Sequence, residues 1–569
     1  MNECTTIDKP FCLYDADQHT NQESFAGPGV LVCSIDNMPA QLPREATDFF
    51  GELLLPHVPD LLKSDATSSF ESYEAGSVVK NAVIASNGKL TPNFSYIDDL
   101  RQSKKRSQSK AMSTHQHSKK VLVLGAGYVA MPVVEYLTRD NNVVITVASA
   151  VREEADQLAQ KFQHTDAVHL DVDKKPQDMD KLIQEHDVVV SLLPYGLHGR
   201  VAESCINHKV NMVTASYSHS FGKQKDSFSS RAEQAGITIL NEMGLDPGID
   251  HLLAMDCFDD VKELGGKVTS FKSYCGGLPA PEFSDNPLRY KFSWSPRAVF
   301  LAALNGARYI ERGKITETPP GGVPLMESTH AFNCIPGFNL EAYSNRDSLH
   351  YLKEYGIESA TTCMRGTLRY KGYADCLIGL MNLGMLQPTS HPALHPDGPE
   401  LTWRQLTAAL LNQNPDNLVE NLKKVVLDKM GSQERLQAAE ELGLFDDTLV
   451  VKLDTPLNTL AHHLEKRLAY GKNERDLVIL RHDIDIAWPN KSKETREITL
   501  VVYGEPNGYT AMAKTVGYPA AIGTKMLLDK EIQRKGMFVP LTKDIYRPVL
   551  QRLENEGIKA AVRTRRTDH

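Results

Sequence analysis

Four groups of residues have the types and spacing for chemistry. Gly125-Ala126-Gly127-Tyr128-Val129-Ala130 follows the apolar run Val121–Leu124 and precedes a helical pattern (Val133, Val134, Tyr136, Leu137). Strand, glycine turn and helix in that order begin a dinucleotide-binding βαβ unit. Gly125 permits the tight turn, Gly127 lets a pyrophosphate approach the backbone, and Ala130 lets helix and strand pack closely. The helix N-terminus then offers free N–H groups to the phosphates. A second group lies on three expected strand ends: Ser191-Leu192-Leu193-Pro194-Tyr195, Thr214-Ala215-Ser216-Tyr217, and Glu242 through Gly248. In an open parallel sheet, cofactor and substrate meet at those ends. Asp246, in a Pro-Gly turn, reads either as an acid/base or orienting group or as the N-cap of a helix starting at Ile249. His251, inside that helix, is either catalytic or a filler of a polar–apolar boundary. Third, Tyr274-Cys275-Gly276-Gly277-Leu278-Pro279-Ala280-Pro281 reads as a shaped loop, with Cys275 either a weak acid/base or a buried thiol. Fourth come basic and aromatic residues: Arg289, Lys291 and Trp294, then Arg346 and the pair Arg365/Arg369. Each arginine taken singly reads as an ordinary surface residue, but arginine binds carboxylates bidentately, and several of them in loops near a nicotinamide suggest a polycarboxylate substrate.

These groups need a doubly wound sheet to position them. From Lys120 strands and helices alternate: strand two over Val143–Ala148, a polar-faced helix over Val151–Phe162, and strand three over Ala167–Leu170. Strand four starts at Asp187, strand five covers Val210–Thr214, and strand six Thr238–Leu240. The fold class is α/β, a Rossmann-type nucleotide domain over 120–249. Longer loops and alternating segments (Lys267–Tyr274, Ile498–Tyr503) make 250–510 a second, mixed α+β substrate and dimerisation domain. The stretch 511–569, with the apolar helix Ala520–Leu528, is expected to pack back on the first domain. Residues 1–95 read as a small α/β piece, with a strand candidate at Val30–Ile35, a helix opening at Pro43 and an Asn-Gly turn before Lys89. Residues 96–119 read as a basic linker that includes Lys104-Lys105-Arg106. At the end of strand two, Val147-Ala148-Ser149-Ala150-Val151-Arg152 lacks the acid that binds ribose hydroxyls in NAD enzymes. Arg152 is either a ribose-phosphate ligand, which would mean NADP, or a surface residue.

Composition narrows the function. A chain of 569 residues with 41% hydrophobic and 24% charged residues is that of a multidomain globular protein. A net charge of −9 does not favour nucleic acid. Nine cysteines without a CxxC pair fit a reducing compartment and argue against a zinc ribbon, so no metal is expected. No apolar run has transmembrane length. Residues 1–25 hold acids and no arginine, the reverse of a transit peptide.

Taken together, Val121–Ala130, Ser191–Tyr195, Val213–Tyr217, Gly244–Gly248, Tyr274–Pro281, Lys291–Ser295 and Arg365–Gly372 make residues 119–569 resemble saccharopine dehydrogenase of the L-glutamate-forming type. Residues 1–95, with Asp36–Pro43, resemble the tail end of lysine–ketoglutarate reductase. The whole is thus similar to the C-terminal part of the bifunctional animal enzyme that joins the two, and no reductase activity is expected. The resemblance implies lysine degradation in the mitochondrial matrix and NAD as cofactor, with NADP second. Saccharopine, a secondary amine bearing three carboxylates, would be oxidised at its C–N linkage; water would then release glutamate and aminoadipate semialdehyde. It implies cofactor contacts at Gly125, Ala126, Gly127, Tyr128, Val129, Leu193, Ala215 and Met243, with Ala150 and Glu154 at the ribose end. Substrate contacts would be Ser216, Tyr217, Arg289, Trp294, Arg346, Thr367, Leu368 and Arg369. Asp246, Tyr217 and Cys275 would be the polar groups nearest the proton transfer. A homo-oligomer is expected. Two other readings stay open: an oxidoreductase acting on another amine, against which the arginines argue, and a dinucleotide-binding assembly module without activity.

Overall fold

The computed structural model describes residues 11–15, 20–22, 30–33, 43–63, 69–94, 118–415 and 418–567. The basic linker expected over 96–119 lies outside the described residues except for 118 and 119, as does the Asp36–Leu42 part of the reductase-like motif. Two compact units divide the chain, Met1–His117 and Ser118–His569. In the first, Cys12–Asp15 pairs antiparallel with Thr20–Gln22 and Val30–Val32. A helix covers Pro43–Leu54, and a hairpin joins Ala85–Ser86 to Lys89–Leu90. Asn87 and Gly88 turn that hairpin with φ of 50° and 72°, the left-handed conformations an Asn-Gly pair supplies.

In the second unit a parallel sheet is built from β1 (Lys119–Leu124), β2 (Val143–Ser149), β3 (Thr165–His169), β4 (Val188–Ser191), β5 (Asn211–Thr214) and β6 (Thr238–Leu240). Helices α1 (Ala130–Thr138), α2 (Arg152–Ala159), α3 (Pro176–Gln184), α4 (His198–His208) and α5 (Lys225–Ala235) make the crossovers. The strand order is β6-β5-β4-β1-β2-β3, the doubly wound arrangement the sequence predicts. β1 and β4 lie between neighbours and are buried on both faces, hence their unbroken Val and Leu. Register puts Leu124 opposite Ala148 and Ser191, and Ser191 opposite Thr214. Gly125, Ser149, Leu192 and Ala215 therefore leave the sheet at one level.

After α6 (Ile249–Glu263) the chain builds a ten-stranded mixed sheet. Its strands are β7 (Lys267–Pro279), β8 (Ala307–Glu311), β9 (Lys314–Thr318), β10 (His330–Phe332), β11 (Leu340–Ser344), β12 (Arg346–Asp347), β13 (Thr362–Tyr370), β14 (Asp476–Ala487) and β15 (Lys493–Tyr503), with a last one near the C-terminus. A helical layer flanks it: α7 (Pro296–Ala303), α8 (Tyr373–Asn382), α9 (Trp403–Leu410), α10 (Val419–Met430), α11 (Gln433–Glu441) and α12 (Pro456–Arg467). α13 (Ala511–Leu528) follows, capped by the Thr510 hydroxyl and continuous through Pro519. Residues 511–519 are thus helical and not a separate lead-in. β16 (Gly536–Phe538) then adds a seventh parallel strand beside β6. After α14 (Lys543–Asn555), β17 (Ala561–Thr567) pairs with β15. Residues 561–567 therefore extend the mixed sheet instead of packing on the first domain, pairing antiparallel with β15 from Lys493 to Thr499.

One apolar core joins the two sheets. Val121 and Val123 of β1 and Val133 and Leu137 of α1 share it with Ile522 and Met526 of α13 and with Val478 and Leu480 of β14. Burial of each such side chain is worth roughly 1.5–3 kcal/mol, so α13 is a weld between the sheets.

The segment Tyr274–Pro279 is not a loop. It is the C-terminal half of β7, inside the sheet between β13 and β14. Its glycines are there for close approach. A Cβ on Gly276 would stand 2.8 Å from the Leu368 carbonyl oxygen, and one on Gly277 would strike the Met512 methyl.

Candidate functional site

The nucleotide edge begins at the glycine turn. Gly125 has φ of +103°, and a side chain there would press within 3.3 Å of the Leu192 carbonyl oxygen. Gly127 is different: a Cβ would meet nothing within 4 Å, so its bare backbone faces solvent at the start of α1. That cradle fits a pyrophosphate. Ala126 and Val129 are half-buried beside it, and Tyr128 is exposed, its hydroxyl donating to Glu465 of α12 at 2.8 Å. Tyr128 and Glu465 border a cleft of about 660 Å³. Leu193 and Ala215 are half-buried on the same edge, while Ala150 and Glu154 are exposed at the end of β2. Ser149 turns that end by accepting from the Val151 amide, and among the described residues Arg152 pairs with Asp156 on its own helix. Guanidinium and hydroxyl without a facing acid suit a phosphate on the ribose. Met243 is the exception among the expected contacts. It is fully buried against Gly523 of α13, so packing takes the surface a cofactor would need.

Beyond the ends of β5 and β6 stands a buried cluster drawn from both sheets. The Tyr217 hydroxyl donates to Asp246 Oδ1 at 2.5 Å. The Arg365 guanidinium, reaching from β13, donates to both Asp246 and Asp250. It also lies over the rings of Tyr351 and Tyr217, at 4.5 and 5.6 Å. Arg346 also lies over the Tyr217 ring, at 4.8 Å, and donates to His219 at 3.2 Å. Asp246 does not cap α6: Gly248 occupies that position, and its amide binds Asp250 at 2.6 Å. The Asp246 carboxylate is thus free for the cluster. Burial raises it above its ordinary pKa against the pull of Arg365, with Asp250 adding to the rise. Burial and Asp246 push the Tyr217 phenol well up, so it stays protonated and donates. Ser216 Oγ lies 2.7 Å from Nε2 of His198, whose Nδ1 lies 2.9 Å from Ser191 Oγ. Burial brings His198 down to about 4, so it is neutral and links the ends of β4 and β5.

Alternation along β13 sends Arg365, Thr367 and Arg369 to one face and Met364, Leu368 and Tyr370 to the other. Arg369 is buried, with Tyr290 and Tyr373 rings 5.0 and 5.2 Å from its guanidinium. One nitrogen donates to the Leu368 carbonyl at 2.7 Å, and Nε has no acceptor. Among the described residues no carboxylate pairs with it, and the buried Tyr373 and Ser293 hydroxyls also lack partners. Trp294 supports this wall by donating to the Tyr290 hydroxyl at 3.2 Å.

Several expectations change. Arg365 and Arg369 are buried strand residues, not loop arginines; only the period of β13 shows that they share a face. Leu368 turns its fully buried side chain into the opposite core, so it offers the site nothing but its backbone. Arg289 is exposed, at φ +48°. Cys275 sits beside Thr367 in register, but burial and the nearby Asp246 and Asp250 raise its thiol well above the ordinary value. At neutral pH it is a neutral thiol. Glu242, Asp250, His198 and Tyr351, all bound into the site, carry no motif. The signal available was their placement: Glu242 and Asp250 flank Asp246 at four residues on either side.

A glycine-turn sheet whose strand ends meet a tyrosine–aspartate–arginine cluster from a second sheet places the chain among dinucleotide-dependent oxidoreductases of two domains. Residues 121–240 match the saccharopine dehydrogenase NADP binding domain, and 244–558 match the saccharopine dehydrogenase C-terminal domain. The chain belongs to the saccharopine dehydrogenase family. It is 49% identical over 559 residues to mouse alpha-aminoadipic semialdehyde synthase, mitochondrial, covering 98% of this chain and 60% of that one. The chain thus spans about 60% of the length of that relative. It is 38% identical to the Schizosaccharomyces pombe saccharopine dehydrogenase [NADP(+), L-glutamate-forming], over 77% of this chain and 97% of the relative. The apo L-glutamate-forming saccharopine dehydrogenase of Saccharomyces cerevisiae superposes with a TM-score of 0.70 at 38% identity, covering 79% of this chain and all of that one. These findings overturn NAD as the expected cofactor: the matching domain model and the fungal relatives are named for NADP(+). The missing acid after β2 was the sign of it. Among the described residues no helix is long and apolar enough to cross a membrane.

Proposed function

We propose that this chain oxidises saccharopine with NADP+ and water to L-glutamate and 2-aminoadipate 6-semialdehyde. The observation that carries the reading is Arg369, a buried cation whose counter-charge is absent from the described protein. Burying a charge costs several kcal/mol unless it is paired, and a substrate carboxylate would supply the pair. Arg346, likewise without a carboxylate partner among the described residues, would take a second. At about 3.3 Å per residue, Arg365 and Arg369 stand about 13 Å apart along β13. Thr367 lies between them. A face of that length, with the unpaired Arg369 at one end and Arg346 over the Tyr217 ring near the other, suits an extended polycarboxylate with its secondary amine in the middle.

NADP+, held at Gly125–Val129 with its ribose phosphate near Ser149 and Arg152, would supply the hydride acceptor. The carbon leaving as the aldehyde loses a hydride, giving a substrate imine. Water adds to that carbon, and the carbinolamine collapses with cleavage of the C–N bond. Asp246 takes the proton from water, with the Tyr217 hydroxyl bonded to it; general acid–base help of this kind is worth roughly 10²–10⁴-fold. Arg365 keeps Asp246 in place, and Ser216 presents its hydroxyl on the His198 relay. Cys275 acts as packing in this scheme, not as a base.

The test is the purified chain with saccharopine and either NADP+ or NAD+, followed by the absorbance of the reduced nicotinamide. Turnover with NADP+ and release of glutamate is the expected result; no turnover with either dinucleotide refutes the reading and favours a binding module. The mammalian relatives are named mitochondrial, and a mitochondrial site is proposed for this protein too, tested by imaging the full-length gene product.

A further inference from the structure

We infer that Glu242 and His251 are positioning residues for this chemistry: a buried ion pair that locks the Tyr217 turn against Asp246. The inference deepens the proposed oxidoreductase reading and rests on it. Glu242 brackets Tyr217. Its amide donates to the Ser216 carbonyl at 3.3 Å, and its Oε1 accepts from the Ser218 amide at 2.7 Å. The residues before and after Tyr217 are thus fastened to one side chain and its own backbone. To do so Glu242 takes φ of +61°, a left-handed conformation that a non-glycine residue holds only where its surroundings enforce it.

The other carboxylate oxygen of Glu242 meets Nε2 of His251 at 2.6 Å, and Nδ1 of His251 lies 2.6 Å from the Tyr355 hydroxyl. Glu242 and His251 are both buried. Every element packed around His251 adds a polar or charged group. These are Glu242 from the end of β6, Asp250 on α6 at 4.0 Å, and Arg365 from β13. Tyr351 and Tyr355 come from the segment before β13, and His482 of β14 holds the Asp250 carbonyl at 3.0 Å. Three carboxylates (Glu242, Asp246, Asp250) therefore share two cations when His251 is protonated and one when it is not. With His251 protonated, the cluster has one surplus negative charge, and Asp246 is where a reaction proton can rest. Glu242 is held at about 2, where His251 opposes the cost of burial. The His251 imidazole is raised, with Asp250 and Glu242 outweighing that cost. Both directions favour the ionic form.

The variants Glu242→Ala, Glu242→Gln, Glu242→Asp and His251→Asn of the full chain separate the roles. Glu242→Ala should lower kcat by about 10–100-fold, the loss of a hydrogen bond to a charged group plus misplacement of Tyr217, with KM for NADP+ unchanged. Glu242→Gln keeps an oxygen for the Ser218 amide but loses the ion pair, so it should recover part of that loss and not all of it; full recovery would also overturn the inference. Glu242→Asp keeps the charge but not the reach and should recover little; if the alanine variant does not fold, these two carry the contrast. His251→Asn removes a positive charge, leaves the Glu242 charge uncompensated near Asp246, and should move the acid limb of the kcat/KM profile to higher pH. Nitrogen-15 histidine NMR at neutral pH should show His251 with both ring nitrogens protonated in the wild type and neutral in Glu242→Gln. Equal kcat in Glu242→Gln and Glu242→Asp, an unmoved acid limb, or a neutral His251 in the wild type would overturn the inference. If the wild type does not oxidise saccharopine, the activity reading fails, and the NMR still decides the ion pair.

Discussion

Replacing Arg369 with methionine should weaken substrate capture while leaving the free protein as stable as before, or more so. In the structure the guanidinium gains one charged hydrogen bond, to the Leu368 carbonyl, and two aromatic faces at 5.0 and 5.2 Å. The hydrogen bond is worth roughly 1.5–3 kcal/mol. Each face adds about 0.5–2 kcal/mol. Against this stands the burial of a charge without a counter-ion, several kcal/mol after relaxation. These terms nearly cancel, and methionine fills the volume with an apolar chain, so unfolding in urea should shift by no more than about 1 kcal/mol toward lower stability. Binding is another matter. Loss of one partner of a buried charge pair costs about 3 kcal/mol. At 1.36 kcal/mol per decade that is about 10²-fold in kcat/KM for saccharopine. Saccharopine should raise the melting temperature of the wild type and do so far less in the variant. A variant that loses several kcal/mol of stability yet keeps wild-type kcat/KM would refute the reasoning, because Arg369 would then be a strut and not an anchor.

Three more outcomes are expected. Gly127→Ala adds a methyl where nothing stands within 4 Å, so its melting temperature should match the wild type while NADPH binding, followed by fluorescence, weakens at least about tenfold. Arg152→Ala should lower affinity for NADPH by about 5–10-fold and leave that for NADH unchanged, with a shallower salt dependence, as for loss of one exposed phosphate contact. Cys275→Ser should keep the shape of the pH–rate profile, since a thiol raised this far does not ionise in the working range; disappearance of a limb would restore Cys275 as a proton carrier.

The glycine turn, the doubly wound class of the sheet and the strand-end segments were legible in the sequence because each depends on local pattern: apolar runs, a turn only glycine makes, and helices between. Tyr217 and Asp246 were legible for the same reason, as strand-end residues. What local pattern hides is contact across the fold. Tyr274–Pro279 reads as a loop by composition, yet its glycines exist because the β13 backbone at Leu368 and the Met512 side chain pass so close. Met243 and Leu368 sit in the right segments but face into cores, and a one-residue shift of facing decides that. His198 joins the site only when α4 and the ends of β4 and β5 converge, and for Glu242 and Asp250 the only local hint is their four-residue distance from Asp246. The NADP(+) to which the matching domain model and the fungal relatives point agrees with Ala150 and Arg152, provided that the missing acid is weighed as a signal and not as a lapse from a pattern.

The strand at residues 536–538 that completes the nucleotide sheet beside residues 238–240 has a consequence in time. During synthesis β1–β6 emerge well before β16, so β6 keeps an open edge, and the face that α13 covers stays wet, until residues 511–538 have been made. An unpaired edge of this kind invites other strands. A product cut short anywhere between α6 and β16 would carry the glycine turn and yet be a poor dinucleotide binder and a target for chaperones. Tight retention of a dinucleotide would therefore report that translation had run past residue 538, a signal built from the order in which the strands are made.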